Sequence, residues 1–388
     1  MNSFYQLEAP TSWAAPPDHF SFSSLQAIAA CPRKWQLIHS EWGEHGRFPQ
    51  RPHPKALEGT IVHEGIELLV RALGKRGLPS ITSPAFREAV AEVDFWGHFA
   101  RAVDQWNARL ARHPRSGPFF VLRTPPRELA NRAIRLFREQ YTPLDAPPRA
   151  TGPGDAPSAA VDPMALLKHR GAVSEVEIYH PRLPFRGVID LVELVEGDVQ
   201  VVDFKTGRRK AEHEMQLALY GMLWWRRTGV RPARLVVQYL NERWEWRVGE
   251  AELLSAERRI EESIDDAKRL LADTPADARP GKDCGYCPAR ARCAAGWRAY
   301  QASLGRPQAG TTDLEATVSA EPSTNGFVAE VGGREVNVVY DAAVGQHLPP
   351  LEAGSCVRLL DAVVRDEGKT FEIRPWTEVY AVGHPASS

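Results

Sequence analysis

The chain of 388 residues balances 48 Lys and Arg against 49 Asp and Glu and is 43% hydrophobic, which allows two domains or one with large insertions and excludes a disordered chain. Net charge names no partner, but the charge is uneven: residues 308–388 hold 5 basic and 12 acidic side chains, leaving 43 and 37 in residues 1–307. The mildly basic body therefore suits nucleic-acid contact better than the acidic tail does.

No run of eighteen apolar residues occurs, and the opening Met-Asn-Ser-Phe-Tyr-Gln-Leu-Glu-Ala-Pro lacks the basic and apolar regions of a signal peptide. The expectation is a cytoplasmic protein without a membrane partner. Its five cysteines then read as thiolates or metal ligands rather than disulfides.

In chain order, Ser21 to Ser40 predicts a helix capped by Ser23 or Ser24, with Leu25, Ile28 and Ala29 on one side. Cys31-Pro32 interrupts it, and a second piece carries Trp35, Leu37 and Ile38. Lys55 to Leu73 predicts another helix, with Ile61, Val62, Ile66, Leu69 and Val70 as its apolar side. Gly59 and His63 stand i, i+4 on it, so the bare position lets a backbone or ligand approach the imidazole. Gly74 to Gln140 continues the helical pattern, notably over Phe86 to Leu110 and Glu128 to Gln140, with packing aromatics and no evident chemistry. Thr142 to Pro163, rich in Pro, Gly and Ala, reads as a flexible surface loop.

Strands follow. Ala172 to His180 alternates Val173, Glu175 and Glu177 against Ser174, Val176 and Ile178. Phe185 to Val195 alternates likewise and places Asp190 with Val188 and Val192. After the turn residues Glu196-Gly197-Asp198, the next strand sets Val199, Val201, Asp203 and Lys205 against Gln200, Val202 and Phe204. A hairpin here brings Asp190 opposite Asp203. An isolated Asp-x-Lys is usually an exposed ion pair. Two carboxylates and a lysine converging on one face instead suit a divalent cation and a water. Ala211 to about Arg227 then predicts a helix with Gln216 and Tyr220 at i, i+4. Arg234 to Val248 reads as a strand and Glu250 to Leu271 as an amphipathic helix.

Four motifs thus occur in order: Gly59-x-x-x-His63, Gly187-Val188-Ile189-Asp190, Asp203-Phe204-Lys205-Thr206-Gly207, and Gln216-x-x-x-Tyr220. This series resembles the RecB-like branch of the PD-(D/E)XK nuclease superfamily over about residues 20–300. The resemblance implies an α/β, restriction-endonuclease-like mixed sheet flanked by helices, with residues 74–163 as a helical insertion. It implies that His63, Asp190, Asp203 and the Phe204 carbonyl bind Mg2+ or Mn2+, and that Lys205 positions the attacking water or neutralises developing charge. Gln216 and Tyr220 would contact DNA or that water. Relatives often place a Glu on the preceding strand near the metal, and the residues do not choose between Glu175 and Glu177.

Cys284-x2-Cys287-x5-Cys293 offers three thiolates on a tight loop, and Cys31 can supply a fourth. One early cysteine and a late triplet resemble the iron-sulfur staple of AddB-type subunits and CRISPR-adaptation exonucleases. That implies a [4Fe-4S] cluster. Thiolates alone suit Zn2+ equally, so zinc stays the alternative. Either would close the chain between residues 31 and 293 and offset loop entropy.

Ser303 to Asn325 reads as a linker between a nuclease domain at 20–302 and a small β module at 323–388. Four predicted strands, Phe327–Val331, Glu335–Tyr340, Ser355–Val364 and Thr370–Val379, would form an OB-like barrel with Phe371, Trp376 and Tyr380 available for stacking. Cys356 is expected in its core. The whole points to a metal-dependent DNA nuclease, of exonuclease type, acting in repair, recombination or defence on single-stranded DNA or single-stranded ends. The competing reading is an iron-sulfur DNA-binding subunit of a helicase–nuclease assembly. The chain itself carries no G-x-x-x-x-G-K-[ST], so any helicase motor is a separate partner.

Overall fold

A computed structural model describes residues 5–51, 53–76, 79–115, 121–140, 162–303 and 310–382. Helix α1 (Phe22–Ala30) starts where Ser21 and Ser24 exchange side-chain and backbone hydrogen bonds, so the cap is Ser21 rather than the expected Ser23 or Ser24. Cys31 has extended backbone and Pro32 opens α2 (Pro32–His39), so the proline both ends one helix and begins the next. The long α3 (Pro54–Gly74) follows. The expected single helix over Phe86–Leu110 is two, α4 (Pro84–Glu92) and α5 (Phe95–Arg112). Asp94, in the left-handed region at φ 44°, breaks them apart and caps α5 through Gly97 N–H. Helix α6 (Pro126–Gln140) completes the insertion, and α7 (Pro163–Arg170) leads into the sheet. The loop predicted over Thr142–Pro163 lies outside the described residues apart from its last two positions.

Five strands, β1 (Ala172–Tyr179), β2 (Arg186–Val195), β3 (Asp198–Lys205), β4 (Arg234–Tyr239) and β5 (Arg243–Arg247), form a mixed sheet in sequence order. Only β3 and β4 are parallel, because α8 (Ala211–Thr228) carries the chain back across the sheet between them. The predicted strand Arg234–Val248 is therefore a hairpin, β4 and β5. One sheet face packs Val201, Leu235 and Val237 under α1, α8 and α9 (Glu250–Leu270). The other packs Val202, Phe204 and Val236 under α3, α5 and α6. This is the mixed α/β architecture expected, with the helical insertion covering one face.

Beyond α10 (Ala294–Ser303) come β6 (Gly310–Val318), β7 (Gly326–Val331), β8 (Arg334–Val339), a short α11 (Ala342–Gly345), β9 (Cys356–Arg365), β10 (Thr370–Glu372) and β11 (Glu378–Val382). Pairing runs β6-β7-β8-β10-β9 and back to β6, closing a five-stranded ring with β8 and β10 parallel, the Greek-key connectivity of an OB barrel. Two sequence expectations change. The stretch taken for a linker contains β6, whose Leu314, Ala316 and Val318 point inward. The last expected strand is two, separated by Ile373–Thr377, and Cys356 is half-buried at the start of β9.

The barrel shares a core with the rest of the chain. Leu360 and Tyr380 pack with Leu37, Trp42, Phe48 and Trp297, and Gln6 bridges Ala381. Arg115, just after α5 within the insertion, makes a buried bidentate pair with Glu378 at 2.7 and 2.8 Å. Arg290, inside the cysteine loop, pairs with Asp313 and Asp361.

Candidate active site

The β1–β2 ladder is interrupted where the chemistry lies. Ser174 pairs with Leu191 and Val176 with Ile189, while Glu175 between them takes φ 50°. A non-glycine residue in that region signals local strain. Its effect is to switch faces: Val173, Val176 and Ile178 all meet one core, and Ile189 and Val192 share it while Leu191 meets the other. Strict alternation therefore fails at Glu175 and Asp190, and Glu175 and Glu177 part company. Glu177 is exposed and bound to Tyr179 and Arg186. Glu175 turns in toward α3.

There, ligand atoms of His63, Glu175 and Asp190 all lie within 4.8 Å of one another. His63 Nδ1 is 3.6 Å from Asp190 Oδ2, which also accepts Phe204 N–H at 2.8 Å. The β2–β3 register continues from Leu191–Val202 toward Asp190 and Asp203, so the hairpin sets the two carboxylates side by side. Lys205 Nζ lies 2.7 Å from Asp203 Oδ2, so the buried carboxylate keeps a cation beside it. Asp203 itself falls outside the 4.8 Å trio. Phe204 contributes its N–H and a buried ring edge-on to His63 at 6.4 Å. Gly59 faces Thr206 Oγ1, not the imidazole, where a Cβ would sit at an ordinary 3.5 Å.

On α8, Gln216 Nε2 donates to Tyr220 OH at 2.8 Å. The glycine of Gly187-x-x-Asp190 is needed for that arrangement, since a Cβ at Gly187 would come within 2.8 Å of the Tyr220 ring and 3.0 Å of Leu223. The ring is therefore seated on β2, near enough that Asp203 and Asp190 add to burial in raising the phenol above its usual range.

Crowding three carboxylates controls their charge. Burial, then Asp190, pushes Asp203 up to about 7, and burial with Asp190 likewise pushes Glu175 up to about 7. Burial also disfavours charge on Asp190, but His63, Lys205 and Phe204 N–H outweigh it and hold this carboxyl below the usual range. Burial opposes protonation of His63, yet Asp190 outweighs it and raises the imidazole. The carboxylates of Glu175, Asp190 and Asp203 with the imidazole of His63 are a donor set that fits a divalent cation. Among these residues, the sequence left Glu175 open, and the strained backbone that aims it has no signature in the sequence.

A second group is formed by the cysteines. Cys31, Cys284, Cys287 and Cys293 line one small cavity beside Lys34 and Gly296. Three of the sulfurs accept backbone N–H groups at 3.4 Å, Cys31 from Lys34, Cys284 from Gly281 and Cys293 from Gly296. Gly296 is held against them, because a Cβ there would lie 3.2 Å from Cys293 Sγ. Burial pushes the Cys287 thiol up to about 11 and raises Cys293, which favours the protonated thiol at these two positions while no metal is bound. Four thiols facing one cavity, with donors to sulfur, fit a thiolate-bound metal centre.

No helix among the described residues is long and apolar enough to cross a membrane. No curated protein matches the chain significantly. Among solved structures, the tetrameric p202 HIN2 domain is 13% identical with a TM-score of 0.17, the match covering 19% of this chain and 42% of that one. The structure of SSO0001 is 14% identical with a TM-score of 0.23, covering 62% and 96%. The sequence model for the PD-(D/E)XK nuclease superfamily matches residues 19–294, a span that takes in His63, Asp190, Asp203, Lys205 and all four clustered cysteines. With its acidic, metal-fitting site on β1 to β3, the chain belongs to the PD-(D/E)XK nuclease superfamily of metal-dependent nucleases.

Proposed function

We propose that the protein is a RecB-like deoxyribonuclease, of exonuclease type, that hydrolyses DNA with Mg2+ or Mn2+ and carries a [4Fe-4S] cluster. The observation that carries this reading is the convergence of His63, Glu175 and Asp190 within 4.8 Å, beside Asp203 and Lys205. His63, Asp190 and Asp203 would hold the cation, with the Phe204 carbonyl as the resemblance implies and Glu175 as the additional carboxylate. The imidazole favours Mn2+ somewhat over Mg2+. Such a cation lowers the pKa of a bound water and stabilises charge on the scissile phosphate.

The chain's own groups do the rest. Lys205, fixed against Asp203, orients a water or neutralises charge developing on the phosphate. Tyr220, seated on Gly187 and hydrogen-bonded by Gln216, borders the same face and positions the substrate strand. The cysteine centre joins α1 and α2 to the end of the nuclease core. The resemblance to iron-sulfur staples supports a cluster over zinc, since four thiolates suit either. Single-stranded DNA or single-stranded ends are the proposed substrate, in repair, recombination or defence, with a helicase as a separate partner.

End-labelled single- and double-stranded DNA of both polarities, incubated with Mg2+ or Mn2+, tests the reading. Metal-dependent shortening from one end is expected, abolished in Asp203→Ala. Wild-type turnover by that variant would overturn the assignment. Anaerobic protein should contain iron and acid-labile sulfide, lost equally in Cys31→Ser and Cys287→Ser, whereas stoichiometric zinc without sulfide would replace the cluster.

A further inference from the structure

We propose that the cleft between the barrel and the helical insertion is a second single-strand nucleic-acid site, with a base stacked on Trp376 and backbone phosphates on Arg112 and Arg374. The cleft is a cavity of about 450 Å³ bounded by the end of α5, the α11 turn and the β10–β11 loop. Four arginines line it, Arg51, Arg112, Arg115 and Arg374, against one carboxylate, Glu378, which Arg115 occupies. The neighbouring carboxylates are each shared by two guanidinium groups: Asp361 by Arg51 and Arg290, Glu372 by Arg365 and Arg374. Among the described residues Arg112 has no carboxylate partner and bonds the carbonyl of Ala108. Positive charge is therefore in excess here, within a barrel that is acidic as a whole.

Trp376 supplies the second requirement. It is 48% exposed, while Phe371 and Tyr380, also expected to stack on bases, are 1% exposed and belong to the cores. Its loop is held rigid: Arg51 donates to the Trp376 carbonyl at 2.6 Å, Thr377 N–H bonds Arg374 O, and Thr377 Oγ1 accepts Arg374 N–H and donates to Asp361 O. An exposed indole on a fixed loop, with arginines lining the same cleft, is the pairing by which proteins bind unpaired strands. The outer face of β7 and β8, where OB barrels commonly bind strands, offers instead Val328, Glu330, Glu335, Asn337 and Val339, without an aromatic side chain.

The inference rests on the nuclease reading only in taking nucleic acid as the ligand. Its test is fluorescence anisotropy of full-length protein with labelled oligo-dT in EDTA, where no cleavage occurs. Trp376→Ala should weaken binding roughly 5- to 150-fold, the range for losing one base stack. Arg112→Ala and Arg374→Ala should each lower the slope of log affinity against log salt by about 0.7, one phosphate contact on a single strand. Asn337→Ala should bind as wild type does. Wild-type affinity and salt slope in the Trp376 and Arg112 variants, or no oligo-dT binding by the wild type, would overturn the proposal. Hydrolysis of thymidine 5′-(p-nitrophenyl phosphate), too small to span both sites, should be unchanged by Trp376→Ala. If the wild type hydrolyses neither that ester nor DNA, yet binds oligo-dT through Trp376, the nuclease reading fails and this one stands.

Discussion

The contact between barrel and cysteine loop yields a stability prediction whose magnitude the structure sets. Arg290 is 9% exposed and Asp313 is 2% exposed; they meet at 2.5 and 3.2 Å, with Asp361 2.9 Å from the same guanidinium. Burial opposes the Arg290 charge, but Asp313 and Asp361 outweigh it and raise its pKa. Asp313 also accepts Asp361 N–H at 2.9 Å. Asp313→Ala leaves a buried guanidinium with one half-exposed partner and an orphaned backbone donor. Breaking one side of a buried pair costs about 3–5 kcal/mol, and the surviving Asp361 contact places this variant near about 3 kcal/mol. Urea unfolding followed by the fluorescence of Trp42 and Trp297, which lie in the shared core, measures it. The double replacement Arg290→Met with Asp313→Leu should recover most of the loss, because apolar residues of similar volume do nearly as well as a buried pair. A cost below about 1 kcal/mol for Asp313→Ala would show that the pair is hydrated, and that the barrel is not docked on the cysteine loop.

Further outcomes follow from the active site. Glu175→Gln should weaken Mn2+ binding by roughly 10-fold or more and slow DNA cleavage, whereas Glu177→Gln should match wild type in both; equal effects would restore the ambiguity between them. Gly187→Ala places a methyl 2.8 Å from the Tyr220 ring, and should cost about 1–3 kcal/mol in thermal unfolding while depressing cleavage. Asp203 and Glu175, raised to about 7, hold a proton more tightly in the folded, metal-free protein than in the unfolded chain. Their contribution to stability is therefore lost as pH rises from the ordinary carboxylate range through about 7. Mn2+ competes with that proton, so titration calorimetry should show proton release near pH 6, little near pH 8.5, and affinity rising between them; a flat profile would contradict the assigned ligands.

Much of the site was legible because it is built from local patterns. Asp203 and Lys205 are two residues apart on one strand, Gln216 and Tyr220 four apart on one helix, and Asp190 lies one hairpin turn away, so period and turn chemistry place them with no tertiary information. Gly187 carries its reason only in the fold: nothing between positions 187 and 220 says that a tyrosine ring will lie against that strand. The choice between Glu175 and Glu177 was illegible for the same reason. Alternation assigns them one face, and it is a backbone kink, shared with Asp190 across the ladder, that separates them.

The tail shows a different limit. Strands β7 and β8 alternate cleanly, but β6 begins Gly-Thr-Thr-Asp and follows a stretch of Pro, Gly and Ser, so its composition speaks for a linker. What makes it a strand is the vacancy beside β9, with which it pairs from Gly310 to Thr317. Asp313 shows why the polar start is retained. It sits between Thr312 and Leu314, where the β6–β9 register shifts because β9 carries an extra residue, and its carboxylate turns to Arg290 in the cysteine loop. A charged residue that spoils a strand pattern in sequence is here the one that binds the barrel to the rest of the molecule, so removing it should damage docking more than it damages the barrel's own core.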